Sequence, residues 1–145
     1  MRVQADTRGS AVAWMRLRTS LPVHAQAAAV GQQIAAYAKT FPGHASYVWG
    51  GTGPSGFDCS GLALYVYGHF GYQLPRTAQE QYQVVRHVDR SSALPGDLVF
   101  FLSGGYAYHV GIYEGGDMMV AAATPASGVQ YQQIYGSDVV FGTPV

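Results

Sequence analysis

An α+β fold, with N-terminal helices packed on a central antiparallel β-sheet, is predicted by three features of this 145-residue chain. Helix-forming stretches fill its first half. Four short apolar runs separated by Gly and Pro turns fill its second half. The two textures do not alternate, as a parallel βαβ arrangement would require. At 15.5 kDa there is room for one ordinary domain and little more.

Residues 1–25 are expected to be an arm or linker, and residues 26–145 the domain itself. The arm carries Arg2, Arg8, Arg16 and Arg18 without sustained periodicity. Its Trp14, Met15, Leu17 and Leu21 need somewhere to bury, so the stretch around Arg16–Pro22 is a candidate to fold across a cleft. From Ala25 to Thr40 strong helix formers place Ala29, Ile34, Tyr37 and Ala38 on one face, and Phe41-Pro42-Gly43 ends that helix. Gly50–Gly56 reads as a loop delivering the chain to a helix that starts near Cys59. A shorter helix follows over Thr77–Val84, where Thr77 and Glu80 have the spacing of a capping box. Leu94-Pro95-Gly96-Asp97 is a turn, and strands are expected at Leu98–Leu102, Tyr108–Tyr113, Met118–Ala122 and Gly128–Gln133.

Composition narrows the function classes. With 48% hydrophobic and 11% charged residues the chain can offset its conformational entropy and fold. Eight basic residues balance eight acidic ones, which gives no general attraction for nucleic acid. No apolar run approaches the roughly 20 residues of a membrane span. Ala11–Met15, followed at once by Arg16 and Arg18, does not make a secretory signal. One cysteine excludes an internal disulfide and a multi-cysteine zinc site, and the five histidines show no metal-ligand spacing, so no metal or other cofactor is expected. A monomer is expected.

That single cysteine is either packing or a reagent. A thiol at the first turn of a helix lies near free backbone N–H groups, which favour its thiolate and can donate to a tetrahedral oxyanion. Cys59 has this setting, and the glycines before it let a substrate backbone approach. A nucleophilic thiol needs a base. His109 opens an apolar strand beside a Gly-rich turn, whereas His24, His44, His69 and His87 fall in arm, loop or helix-end positions.

Five motifs then occur in order: Tyr47-Val48-Trp49-Gly50-Gly51, Phe57-Asp58-Cys59-Ser60-Gly61-Leu62, Leu74-Pro75-Arg76-Thr77 with Gln81, Leu94-Pro95-Gly96-Asp97-Leu98-Val99-Phe100-Phe101 and His109-Val110-Gly111-Ile112-Tyr113. Over residues 47 to about 135 the chain resembles the NlpC/P60 cysteine peptidases. The resemblance implies a compact papain-like α+β fold and hydrolysis of peptidoglycan stem peptides, typically between D-isoglutamate and a diamino acid. It implies an extracellular, wall-associated protein. It makes Cys59 the nucleophile, His109 the base and the Cys59 N–H an oxyanion donor, with Tyr47, Asp58 and Ser60 around the bound peptide. From the residues alone, Tyr47 and Trp49 could be core aromatics, and Asp58 and Ser60 only helix caps. Arg76 and Gln81 read as architectural.

One position departs from the pattern. Members of the family usually carry a third polar residue on the strand after the histidine strand, where it orients the imidazole. Here that place falls at Ala121, or at Ala122 if the turn is one residue longer. Glu114 or Asp117 could reach in from the preceding turn, or both could decorate an exposed hairpin. The departure keeps two alternatives open: a weakened or inactive module that binds stem peptides, and an amidase or acyltransferase using the same thiol.

Overall fold

A computed structural model describes residues 22–144. The first 21 residues lie outside that range, and with them nearly all of the arm and its occluding segment. Helix α1 spans Val23–Ala38, so it begins before the boundary expected at residue 26. Val30, Ile34, Ala35 and Ala38 recur at helical spacing on its buried side. Helix α2 (Cys59–His69) and helix α3 (Ala78–Val84) follow. The Thr77 hydroxyl accepts from the Glu80 N–H while the Glu80 carboxylate accepts from the Thr77 N–H, which completes the expected capping box.

Before α2 lies a small sheet of β1 (Ser46–Tyr47), β2 (Thr52–Gly53) and β3 (Gly56–Phe57), in the order β1-β3-β2. Part of the expected Gly-rich loop is therefore a miniature hairpin. Its two-residue strands are too short to show a period. The main sheet holds β4 (Arg86–Val88), β5 (Leu98–Ser103), β6 (Tyr106–Gly115), β7 (Met118–Thr124), β8 (Gly128–Gln133) and β9 (Val139–Thr143). Their order is β4-β9-β5-β6-β7-β8, and every pair is antiparallel. The four expected strands are its central and right-hand members. β4 and β9 went unread, and His87 lies on β4 rather than at a helix end.

The sheet buries both faces. Phe100, Val110, Ile112, Val120 and Ala122 meet Ile34, Leu62 and Val66 of the helices on one side. On the other, Val99, Phe101, Met119 and Ala121 form a second cluster with Ile134 and Phe141. Burying each large apolar side chain contributes about 1.5–3 kcal/mol, and this anchors α2 on the sheet. The Leu94–Asp97 turn forms as expected. The Leu94 N–H donates to the Asp97 carboxylate, and Gly96 takes φ 95° where the backbone lies against Gly31 of α1. The Tyr67 hydroxyl donates to the Gly96 carbonyl. No helix among the described residues is long and apolar enough to cross a membrane.

Candidate active site

The N-terminus of α2 is assembled by its own sequence. Asp58 has extended backbone, and its Oδ1 accepts from the Gly61 N–H at 2.7 Å, an N-cap. A Cβ at Gly61 would collide with the Gly51 carbonyl, so this glycine lets the Gly50-Gly51 loop press against the helix start. The Asp58 N–H donates to that same carbonyl at 3.0 Å. Cys59 follows as the first helical residue, half-buried and free.

Asp58 does more than cap. Arg76 Nη2 donates to its Oδ2 at 2.7 Å, and Arg76 Nη1 donates to its Oδ1 at 3.2 Å and to the Ser60 hydroxyl at 2.9 Å. Burial pushes the Asp58 carboxyl up, but the Arg76 bonds, the Gly61 N–H and the Arg76 charge outweigh it, so its pKa lies below the ordinary value. Fully buried Gln81 donates from Nε2 to the Ser60 and Pro75 carbonyls. Arg76 and Gln81 are thus the brace expected of them. Asp58 is the cap, whereas the Ser60 hydroxyl is held by Arg76 and Asp58 and caps nothing; both residues line a cleft with Tyr47, Trp49 and Cys59.

Cys59 lies where two depressions meet. One, of about 270 Å³, is lined by Tyr47, Cys59, Tyr108, His109, Ala122, Ala123, Thr124 and Tyr135. The other, of about 260 Å³, adds Trp49, Asp58, Ser60, Gln79 and Tyr106. Cys59 and His109, far apart in sequence, therefore share one wall. Trp49 is 89% exposed, which rules out the core-aromatic alternative for it, whereas Tyr47 is half-buried at the sulfur. The other described histidines are engaged elsewhere: His69 stacks on Tyr37 and the His87 ring nitrogen meets the Tyr82 carbonyl, while His44 is exposed in a turn.

Burial disfavours the charged form of both Cys59 and His109. Burial pushes the Cys59 thiol up, ahead of the opposing backbone N–H groups of Val110, Ser60 and Cys59 itself. Burial alone lowers His109 to about 4. The helix start does assist the thiolate, as expected, but desolvation outweighs it. Both shifts favour the neutral thiol and the neutral imidazole.

His109 Nε2 is buried and meets no hydrogen-bond partner among the described residues. An unsatisfied group of this kind costs about 1–3 kcal/mol. Ala121 is fully buried in the cluster with Phe101, on the face of the sheet where Phe101 meets the His109 ring. Ala122 belongs to the opposite cluster and borders the cleft. Neither side chain can accept a hydrogen bond. Neither carboxylate considered as a substitute meets Nε2, and the Glu114 Oε2 is itself buried without a hydrogen-bond partner among the described residues. Asp117 pairs with Arg90 at 2.9 Å, and the charge that acts on Glu114 is that of Lys39.

Tyr108 and Tyr135 line the cleft and were not singled out from the sequence. A signal existed for Tyr108: in Tyr106-Ala107-Tyr108, both tyrosines are exposed and the intervening alanine is buried, the period of a half-buried strand. Tyr135 sits in the loop after β8, where no local pattern marks it.

The model of the NlpC/P60 family matches residues 43–140. Among curated proteins, the chain is 49% identical over 92 residues to a probable endopeptidase p60 of Listeria seeligeri, which covers 63% of this chain and 17% of that protein. It is 44% identical over 92 residues to the bifunctional muramidase/DL-endopeptidase CwlT of Bacillus subtilis, covering 61% of this chain and 27% of that protein. The chain thus spans about a fifth of the length of the relatives it matches first. Among solved structures, the NlpC/p60 domain of the peptidoglycan hydrolase SagA aligns at TM-score 0.71 and 35% identity, over 78% of this chain and 98% of that one. The peptidoglycan hydrolase RipB of Mycobacterium tuberculosis aligns at TM-score 0.69 and 28% identity, over 88% and 70%. With more than half of its residues matched by the family model and its papain-like fold shared with these domains, the chain belongs to the NlpC/P60 family.

Proposed function

We propose that this domain is a cell-wall cysteine endopeptidase that hydrolyses peptidoglycan stem peptides at the D-isoglutamyl–diamino acid bond. The observation that carries the reading is the meeting of Cys59, at a capped helix start, with His109, on the interior strand β6, in one cleft inside the family-matched region. Names borne by its relatives, endopeptidase and peptidoglycan hydrolase, support the substrate class. The same reading places the protein outside the cell at the wall, as a monomer with a catalytic domain over residues 26–145.

The chemistry follows from the neutral pair. Because Nε2 is sealed, Nδ1 is the ring nitrogen left to serve the cleft. As Cys59 Sγ attacks the scissile carbonyl, the thiol proton passes to His109, and the C=O pair becomes an oxyanion taken up by the Cys59 backbone N–H. Collapse expels the diamino acid's amine, which leaves with the proton from His109. Water then attacks the thioester, giving up its proton to His109; collapse breaks the C–S bond, His109 returns the proton to the Cys59 sulfur, and the acid product departs and ionises in solution. Tyr47, Asp58 and Ser60 hold the peptide beside the sulfur.

Digestion of purified muropeptides followed by mass spectrometry tests this. Wild type should release the two halves of the stem peptide, and Cys59→Ala and His109→Ala should not; unchanged cleavage by Cys59→Ala rejects the reading. The orphaned Nε2 favours a second reading, a module that binds stem peptides with weak turnover. It is distinguished by measurable muropeptide affinity without product.

A further inference from the structure

The imidazole of a thiol dyad must be held in one pose, and here the usual means of holding it is missing. No polar side chain among the described residues meets Nε2, and the strand position that would supply one is Ala121. Two aromatic rings stand at the site. Phe101, the cross-strand partner of His109, has its ring centroid 5.2 Å from the imidazole at a tilt of 42°. Tyr135 stacks on that ring at 4.6 Å and 27° and borders the cleft with His109 and Cys59.

The Tyr135 loop is pinned at both ends. Ile134 is buried in the Phe101 cluster and its N–H donates to the Asp117 carbonyl, and beyond the loop the Leu102 N–H donates to the Asp138 carbonyl. Tyr135 is therefore fixed by the chain around it although it is 47% exposed. Its side chain lines the same depression as Cys59 and Tyr108.

We propose that Phe101 and Tyr135 form an aromatic stack that positions His109 by packing, in place of the polar third residue. The stack does two things. It walls the outer edge of the imidazole so that water does not reach Nε2, and it limits rotation of the ring away from Cys59. Tyr135 is a positioning residue on this account. Its ring matters and its hydroxyl does not. The inference rests on the Cys59–His109 reading of the site.

Tyr135 is the residue to vary, since Phe101 is a core side chain whose truncation would disturb the sheet. Stem-peptide cleavage is measured for wild type, Tyr135→Phe and Tyr135→Ala, with kcat and KM separated and kcat/KM followed from pH 4 to pH 9. Truncation should lower kcat about tenfold through loss of the ring's pose. Opening the imidazole to water should also move the acid limb of the profile upward by about one pH unit. Tyr135→Phe should stay within about twofold of wild type in kcat, with an unmoved acid limb. The proposal is overturned if Tyr135→Ala keeps both kcat and the acid limb, or if Tyr135→Phe falls as far as Tyr135→Ala. A change confined to KM also overturns it, because that marks a substrate contact. Failure of wild type itself to cleave would instead remove the peptidase reading on which the inference stands.

Discussion

Cys59, the first residue of α2, and His109 of β6 line one depression of about 270 Å³. The start of α2 thereby faces the histidine strand across that depression. Burial disfavours the charged form of each, so on the proposed mechanism the proton moves as the carbonyl is attacked rather than beforehand.

Alkylation of Cys59 reports this directly. A preformed thiolate–imidazolium pair would react with iodoacetamide at a rate nearly flat down to low pH. The neutral pair predicts a rate that climbs through the alkaline range, with a midpoint above the ordinary thiol value. A flat profile below pH 7 would show that the resting thiol is ionised.

Arg76 braces Asp58 and Ser60 through three hydrogen bonds, with its side chain 39% exposed. Exposure discounts the ion pair, so Arg76→Ala should cost about 1 kcal/mol of stability. Loosening Asp58 at the helix start should also raise KM. Unchanged melting and unchanged KM would show that the brace is idle.

Gly61→Ala should be costlier than its size suggests. The added methyl meets the Gly51 carbonyl and the Asp58 carboxylate, so either the loop or the cap must yield. A loss of about 2 kcal/mol is expected, seen as a lower thermal midpoint together with reduced cleavage. Wild-type melting in this variant would contradict the packing described.

Stability should depend on pH through two buried groups of opposite sign. His109, lowered to about 4, stays neutral in the fold while the unfolded chain's histidine protonates near 6.5. Its contribution is complete above about 6.5 and is lost as pH falls toward 4. Glu114, raised to about 8 mainly by burial and opposed by the Lys39 charge, stays protonated in the fold after the unfolded chain's carboxyl has ionised. Its contribution is present at acid pH and fades as pH rises from about 4.5 to 8. Glu114→Gln should therefore flatten the decline in thermal midpoint between pH 6.5 and 8. An equal decline in that variant would assign it to another group.

Much of this architecture was legible in the chain. The α+β order, the Thr77–Glu80 box, the Leu94–Asp97 turn and four strands of the main sheet each carry a local signal: a cap, a positive-φ glycine or an apolar run. β4 and β9 lacked one, being short stretches whose pairing partners lie elsewhere in sequence. The site divides the same way. Cys59, Asp58 and His109 stood out by residue type and setting, and the structure brings them to one cleft region, whereas Ala121 stood out only through the family resemblance. Trp49 read equally well as core or cleft, because exposure depends on how the small β1–β3 sheet stands off the domain. Tyr135 was invisible, since its neighbours Phe101 and His109 reach it only through the folded sheet. Asp117 and Glu114 looked available for His109 from their spacing, but the hairpin turns one toward Arg90 and the strand pleat buries the other.

The most direct test of the account is to trap the acyl-enzyme. Wild-type protein turning over a stem peptide is quenched in acid and digested, and the fragment containing Cys59 is weighed. A thioester of the D-isoglutamyl half should appear on Cys59, be removed by hydroxylamine and be absent from Cys59→Ala. Cleavage that proceeds with no adduct, and survives loss of the sulfur, would contradict the account.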